Sequence, residues 1–338
     1  MPDRTSREIR LKSRPTGMPA PEHFELVEVP VPSPEEGQIL VRNLWMSVDP
    51  YMRGRMKAGR GSYVEPFEVG QTLEGGAIGE VVESRNPAFK PGDHVLSMMG
   101  WRDWWVSDGT GVTRIEPAAP LQSYLGVLGM PGLTAYAGLL RVAEFKSGET
   151  LFVSGAAGAV GSVVCQLGKI KGGRVIASAG SDEKIAWLRE EAGVDYAFNY
   201  KRTDNLLAEL RRAAPDGLDV YFDNVGGDHL DAALRHMKVF GRIPVCGMIS
   251  RYNAETPPPG PANLFMVIVR RVRLQGFLVH DHKDLLPQFR ADMTRWIAEG
   301  RMKWRETIIE GLENAPRAFI GLFHGENIGK MLVRIAPA

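Results

Sequence analysis

Residues 151–169, LFVSGAAGAVGSVVCQLGK, run an apolar stretch into a glycine-rich turn and then into an amphipathic segment. The spacing Ala156-x-Gly158-x-x-Gly161 is that of a dinucleotide-binding turn with alanine in the first slot. A glycine at 158 lets the backbone approach a pyrophosphate, and one at 161 lets the following helix pack close to its sheet. The helix N-terminus supplies free N–H groups and the positive end of a dipole. Val160, Val163, Val164, Leu167 and Ile170 share one face of that helix. An NAD site carries Asp or Glu about 20 residues further on, at the end of the second strand, for the ribose 2′-hydroxyl. Here that strand, in RVIASAGSDEK, ends in Ser178-Ala179-Gly180 without an acid. Asp182 and Glu183 come late, Lys184 follows, and Tyr200 closes the next strand. A small, uncharged strand end beside a cation suits a 2′-phosphate, so NADP(H) is expected.

Catalytic zinc needs three protein ligands and an open position. The chain holds two cysteines, Cys165 and Cys246, and no histidine between His23 and His94. His280-x-His282 has no third partner nearby in sequence, so no metal is expected. Activation of a substrate carbonyl then falls to a hydrogen-bond donor, and a tyrosine phenol can donate to a developing enolate oxygen. Tyr51, in SVDPYMRGRM, lies at a strand exit. Tyr252, in CGMISRYN, lies just past the fifth strand, on the carboxyl edge where such sheets bind ligands. For any single tyrosine a structural role is the first expectation; the edge position is what raises Tyr252.

These residues need a frame. A length of 338 residues suggests about two domains. Up to about residue 120 the chain is rich in Pro, Gly, Val and Glu, with short strand-like runs at 38–48, 77–84 and 93–98 separated by turn signals such as PSPEEG and KPGD. From about 125 the rhythm becomes strand, helix, strand, with strands expected at 150–153, 174–178, 194–198, 218–222, 241–246 and 273–279. Crossovers of this length imply a doubly wound parallel sheet. The end, IGKMLVRIA, is a strand-like tail that can return to the β unit. The net charge of +1 gives no field for nucleic acid or an anionic membrane. No apolar run reaches the 18 or so residues of a membrane span. The charged N-terminus lacks the apolar core of a secretory signal. The two cysteines, each in an apolar segment, suit buried free thiols in a reducing compartment, and a cytoplasmic protein is expected.

The segments VDPYMRGRM (48–56), GMPGLTAYAGL (129–139), SGAAGAVGSVV (154–164), GSDEK (180–184), FNYK (198–201), DNVGG (223–227), CGMISRYN (246–253) and HGENIGKMLV (324–333) occur in this order. In this the chain resembles the zinc-independent medium-chain dehydrogenase/reductases, and more narrowly the leukotriene B4 dehydrogenase, or prostaglandin and alkenal double-bond reductase, group. Zinc-dependent relatives have a cysteine in Cys-x-x-Asp where this chain has Met46 before Asp49. The resemblance implies a Rossmann domain over 129–304 and a GroES-like β-barrel domain over 1–128 and 305–338. It implies NADPH, with Gly180, Lys184 and Tyr200 at the 2′-phosphate end and Gly158, Ala159 and Val160 on the pyrophosphate. Asn224, Phe277, Val279 and Asn327 would surround the ribose and nicotinamide. Tyr252 would be the enolate-side donor and Tyr51 would orient substrate. The implied reaction reduces the C=C bond of enals and enones. The alternatives are an NADPH quinone reductase on the same scaffold and a non-catalytic NADPH-binding protein. A homodimer through the last strand of the nucleotide domain is also expected. RDWWVSDG (102–109) is richer in tryptophan than the family pattern, which bears on substrate preference if that segment lines the cleft.

Overall fold

The computed structural model describes residues 4–59 and 63–337. The chain forms two units. One comprises Met1–Leu125, Glu306–Asn327 and Met331–Ala338; the other comprises Gly126–Arg305 and Ile328–Lys330.

The second unit is built on six parallel strands: β1 (Thr150–Val153), β2 (Arg174–Ala179), β3 (Tyr196–Asn199), β4 (Leu218–Phe222), β5 (Met237–Val245) and β6 (Arg273–Gly276). Their order across the sheet is 3-2-1-4-5-6, and it reverses between β1 and β4. The central strands are continuous apolar runs because helices cover both faces: Val175, Ile176, Ala177, Val220 and Tyr221 are fully buried. Helices Gly161–Ile170, Asp182–Glu190, Leu206–Ala213 and Gly227–His236 fill the crossovers. Asn205 starts one of them by accepting the N–H of Ala208 through its side chain.

Two strands differ most from the sequence expectation. β5 is longer, starting at Met237, because Phe240 adopts φ +64° and the register against β4 shifts there. The last strand stops at Gly276 rather than running to 279, and Val279 opens a 3-10 segment reaching Leu285. The ring of Phe277 turns inward, edge-on to Phe222 at 6.2 Å. It comes so close to Gly138 that a Cβ there would lie 2.4 Å from it.

The first unit holds a mostly antiparallel sheet of seven strands. Its main path runs Glu306–Glu310, Lys330–Arg334, Ile39–Ser47, Ala77–Ser84, His94–Ser97 and Thr113–Ile115, with Trp104–Ser107 also pairing with Ile39–Ser47. The C-terminal strand joins by pairing Leu332 with Ser47 and Arg334 with Trp45. A separate hairpin is formed by Thr5–Leu11 and Phe24–Pro30. The largest core cluster here gathers Ile9, Leu11, Met46, Met52, Trp101, Phe319 and Val333. The fold is thus mixed α/β, a doubly wound parallel sheet with a separate β domain.

Candidate active site

The glycine turn follows β1 directly. Gly155 makes the bend at φ +57°, and its carbonyl accepts the N–H of Gly158 at 3.0 Å. A Cβ at Gly161 would sit 2.4 Å from the Gly155 carbonyl oxygen and 2.8 Å from Ala156 Cα, so only glycine lets the helix start this close. The first N–H groups taken up within the helix are that of Ser162, by the carbonyl of Gly158, and those of Val163 and Val164, by the carbonyl of Val160. Among the described residues, the turn's own hydrogen bonds leave over the N–H groups of Ala159, Val160 and Gly161, all at the positive end of the helix. Gly158, Ala159 and Val160 are half-buried. Gly329 forms a parallel bridge with Gly158 and donates its N–H to the Ala157 carbonyl at 2.7 Å. Asn327, half-buried, is two residues before that bridge.

At the end of β2, the Tyr200 hydroxyl lies 3.0 Å and the Lys201 Cε 3.3 Å from where a Cβ on Gly180 would stand. Ser181 caps the next helix by accepting the N–H of Lys184 at 3.4 Å. Burial, and then the neighbouring charge of Lys201, push the Lys184 ammonium below its ordinary range. The two late acids are already engaged. Asp182 accepts from Asn199 at 2.9 Å and pairs with Arg202 at 2.5 Å, and Glu183 pairs with Arg305 at 3.3 Å. Behind Tyr200, the buried His229 ring meets its edge at 5.0 Å. The edge of β2 and β3 is therefore electropositive.

The edge of β4 and β5 is organised by Asp223, which the sequence reading did not single out. Its carboxylate accepts from Tyr221, Val225 and Gly226, and its carbonyl accepts the N–H groups of Cys246 at 2.9 Å and Gly247 at 3.1 Å. Asn224 is fixed beside it, its backbone N–H donating to Ser154 Oγ at 3.2 Å and its side-chain amide to the Ser154 carbonyl at 2.8 Å. The signal that could have found Asp223 is an acid closing an apolar strand directly before Asn-Val-Gly-Gly. Tyr252 ends the 3-10 turn Ile249–Arg251, and its hydroxyl oxygen accepts the N–H of Met248 at 3.2 Å. Burial raises its phenol above the ordinary range, with the Met248 hydrogen bond opposing. Phe277 and Val279 are half-buried just past β6. One edge of one sheet thus carries the turn at 158–160, Gly180, Lys184, Tyr200, Asn224, Tyr252 and Phe277.

Tyr51 belongs to the other unit. It precedes the short helix Met52–Arg55 and packs against the cluster around Trp101. Burial, and then the charge of Asp49, push its phenol above the ordinary range. The tryptophans of the 101–105 segment are structural. Trp101 stacks on Phe24 at 6.1 Å, Trp105 is buried and donates to Asn43 Oδ1 at 3.0 Å, and Trp104 lies under the Arg4 guanidinium at 4.6 Å. Cys165 is buried and Cys246 half-buried, both as free thiols; burial pushes Cys246 up to about 12. His280 is exposed, while His282 is half-buried against the Phe277 ring. Among the described residues, no group of three or more His, Cys, Asp or Glu side chains could hold a metal ion. No helix among them is long and apolar enough to cross a membrane.

Two family descriptions match: N-terminal domain of oxidoreductase over residues 7–115, and zinc-binding dehydrogenase over residues 159–299. The chain is 45% identical to the NADPH-dependent curcumin reductase of Escherichia coli (strain K12) over 96% of each protein. It is 45% identical to the NADP(+)-dependent 2-alkenal reductase of Nicotiana tabacum over 98% of each. Against the crystal structure of CurA in complex with NADPH from Vibrio vulnificus, the TM-score is 0.93 at 42% identity, covering 98% of this chain and 100% of that one. Matches of this extent, over a sheet edge built as described, show that the chain belongs to the zinc-independent medium-chain dehydrogenase/reductases, in the group of the prostaglandin and 2-alkenal reductases.

Proposed function

We propose that this protein is an NADPH-dependent reductase of the C=C bond conjugated to a carbonyl, acting on enals and enones. The observation that carries the cofactor choice is the electropositive end of β2, where Tyr200 and Lys201 stand over Gly180 and Lys184 feels the charge of Lys201, while Asp182 and Glu183 are held by other partners. Lys184, Tyr200 and Gly180 hold the 2′-phosphate. The N–H groups at 159–161, with Gly158 leaving room, hold the pyrophosphate. Asn224, Phe277, Val279 and Asn327 line the ribose and nicotinamide end. When bound, NADPH supplies the hydride that adds to the β-carbon of the substrate.

Hydride addition drives negative charge onto the carbonyl oxygen, and a proton then reaches the α-carbon. With its oxygen accepting from Met248, the Tyr252 hydroxyl keeps its hydrogen to donate to that charge. Its raised pKa keeps it a phenol through neutral pH. Tyr51 is the residue proposed to orient the substrate. Comparing NADPH oxidation with trans-2-nonenal and with a benzoquinone tests the reading. Turnover confined to the quinone, or NADPH binding with no turnover on either, would overturn it.

The protein is a homodimer in this reading. β6 ends the sheet, and all four of its residues are exposed. Near it, Phe240, Phe265 and Ile268 are 66%, 68% and 70% exposed, an apolar surface beside an open strand edge. A mass near 37 kDa by light scattering at micromolar concentration would count against the dimer. Two free thiols fit a reducing, cytoplasmic compartment.

A further inference from the structure

Asp223, at the end of β4, is fully buried. Its Oδ1 accepts the N–H of Gly226 at 2.7 Å and of Val225 at 3.0 Å, the Tyr221 hydroxyl at 2.6 Å and the Ser154 hydroxyl at 3.4 Å. Its Oδ2 is buried and has no hydrogen-bond partner among the described residues. Every donor given to this carboxyl is neutral: two backbone amides and two hydroxyls. Burial, the largest influence, pushes the carboxyl above its ordinary range, and the hydrogen bonds from Tyr221, Gly226, Val225 and Ser154 oppose it in favour of the ionised form. Helix Gly227–His236 starts four residues on, and its N-terminal dipole also favours the anion. Dipoles thus hold a negative charge, without a counter-ion among its described hydrogen-bond partners, beside the point where the strand order reverses. Sheets of this order bind their dinucleotide in the crevice at that point.

We propose that Asp223 determines which oxidation state of the cofactor the protein prefers, its buried carboxylate favouring the oxidised nicotinamide ring over the reduced one. This rests on the NADP(H) reading of the site. The oxidised ring carries one positive charge that the reduced ring lacks, while the 2′-phosphate and pyrophosphate are the same in both. A fixed anion in a water-excluded site attracts the first and is nearly indifferent to the second. Its effect on the reaction is to ease the departure of hydride, two electrons with one proton, towards the β-carbon, because the ring left behind is the charged one. A carboxyl that merely fastened the loop at 224–227 would act on both oxidation states alike.

Asp223→Asn separates the two roles. The amide oxygen can take the place of Oδ1 and accept the same two backbone N–H groups, while the amide nitrogen takes the place of the unpartnered Oδ2. Shape is kept and charge is lost. Equilibrium fluorescence titrations with NADP+ and with NADPH give both dissociation constants. The ratio Kd(NADP+)/Kd(NADPH) is expected to rise about tenfold in the variant, with the NADPH constant within about twofold of the parent. Tyr221→Phe removes the shortest donor to the carboxylate and should raise the ratio in the same direction by about threefold. That variant carries the test if Asp223→Asn does not fold. An unchanged ratio, including parallel weakening of both constants, overturns the proposal while leaving the cofactor reading intact. A parent protein that binds neither NADPH nor NADP+ overturns both.

Discussion

At the end of β2 the carboxyl edge gathers cations: Lys201 stands over Gly180 and Lys184 lies close enough to feel its charge, and the acids in reach are tied up by Asn199, Arg202 and Arg305. At the end of β4 the same edge buries a carboxylate, held by neutral donors. A molecule bearing phosphate at one end and a ring that becomes cationic at the other matches both signs. The contrast teaches that the two ends read the cofactor differently. In the proposed reading, the β2 end selects for the phosphate irrespective of oxidation state, and the β4 end responds to oxidation state irrespective of the phosphate.

The sharpest way to break the contrast is at the positive end. Lys184→Ala should raise the NADPH Michaelis constant about 10–100-fold, the range of one charge-assisted contact to phosphate, and leave NADH nearly unaffected. Steady-state kinetics with both cofactors decide it, and equal losses for both would remove Lys184 from the phosphate site. The next effect concerns what stands behind that end. Burial lowers the His229 imidazole to about 4, so it stays neutral in the folded protein while an unfolded chain takes up a proton near pH 6.5. Because the unfolded state binds more protons, stability is lost as pH falls from about 6.5 towards 4, by about 2 kcal/mol between pH 7 and 4.5. His229→Phe keeps the stacking on Phe152 and the edge contact to Tyr200, and should remove that part of the acid sensitivity. Urea unfolding at the two pH values measures it; parallel losses in parent and variant would reject the buried neutral histidine.

At the other end, Tyr252→Phe should lower kcat about tenfold or more, discounted from the loss of one oxyanion donor because solvent can partly substitute. The NADPH Michaelis constant should hold, and a stopped-flow hydride step running at the parent rate would take Tyr252 out of the mechanism. The smallest expected effect is none at all: EDTA or phenanthroline should change neither turnover nor the melting temperature. Stoichiometric zinc in active protein would contradict this.

Local pattern carried much of this into view. The glycine spacing and the acid-free end of β2 lie within a few residues of one another, so type and spacing sufficed. Strand propensity at Phe277 predicts a strand running past Gly276, yet the Phe277 ring is drawn inward to Phe222 and Gly138, far away in sequence. Lys201 sits beside Tyr200 in FNYK, but only folding brings it over Gly180. Asp223 stands in the DNVGG run with no local mark of its role, because its burial depends on Ser154 and on the neighbouring strands.

The chain's periodicity, turn residues and lack of metal-ligand spacing determined the fold class, the position of the nucleotide turn and the tyrosine candidates, since each follows from backbone geometry that neighbouring residues set. The tertiary structure alone decided which charges are spent and which remain. Asp182 and Glu183 could not be discounted until Arg202 and Arg305 were seen to hold them. Trp101 and Trp105 could not be assigned to the core until Phe24 and Asn43 met them. The reason is physical: propensity is local, whereas burial and electrostatic pairing are properties of neighbours that only the folded chain supplies.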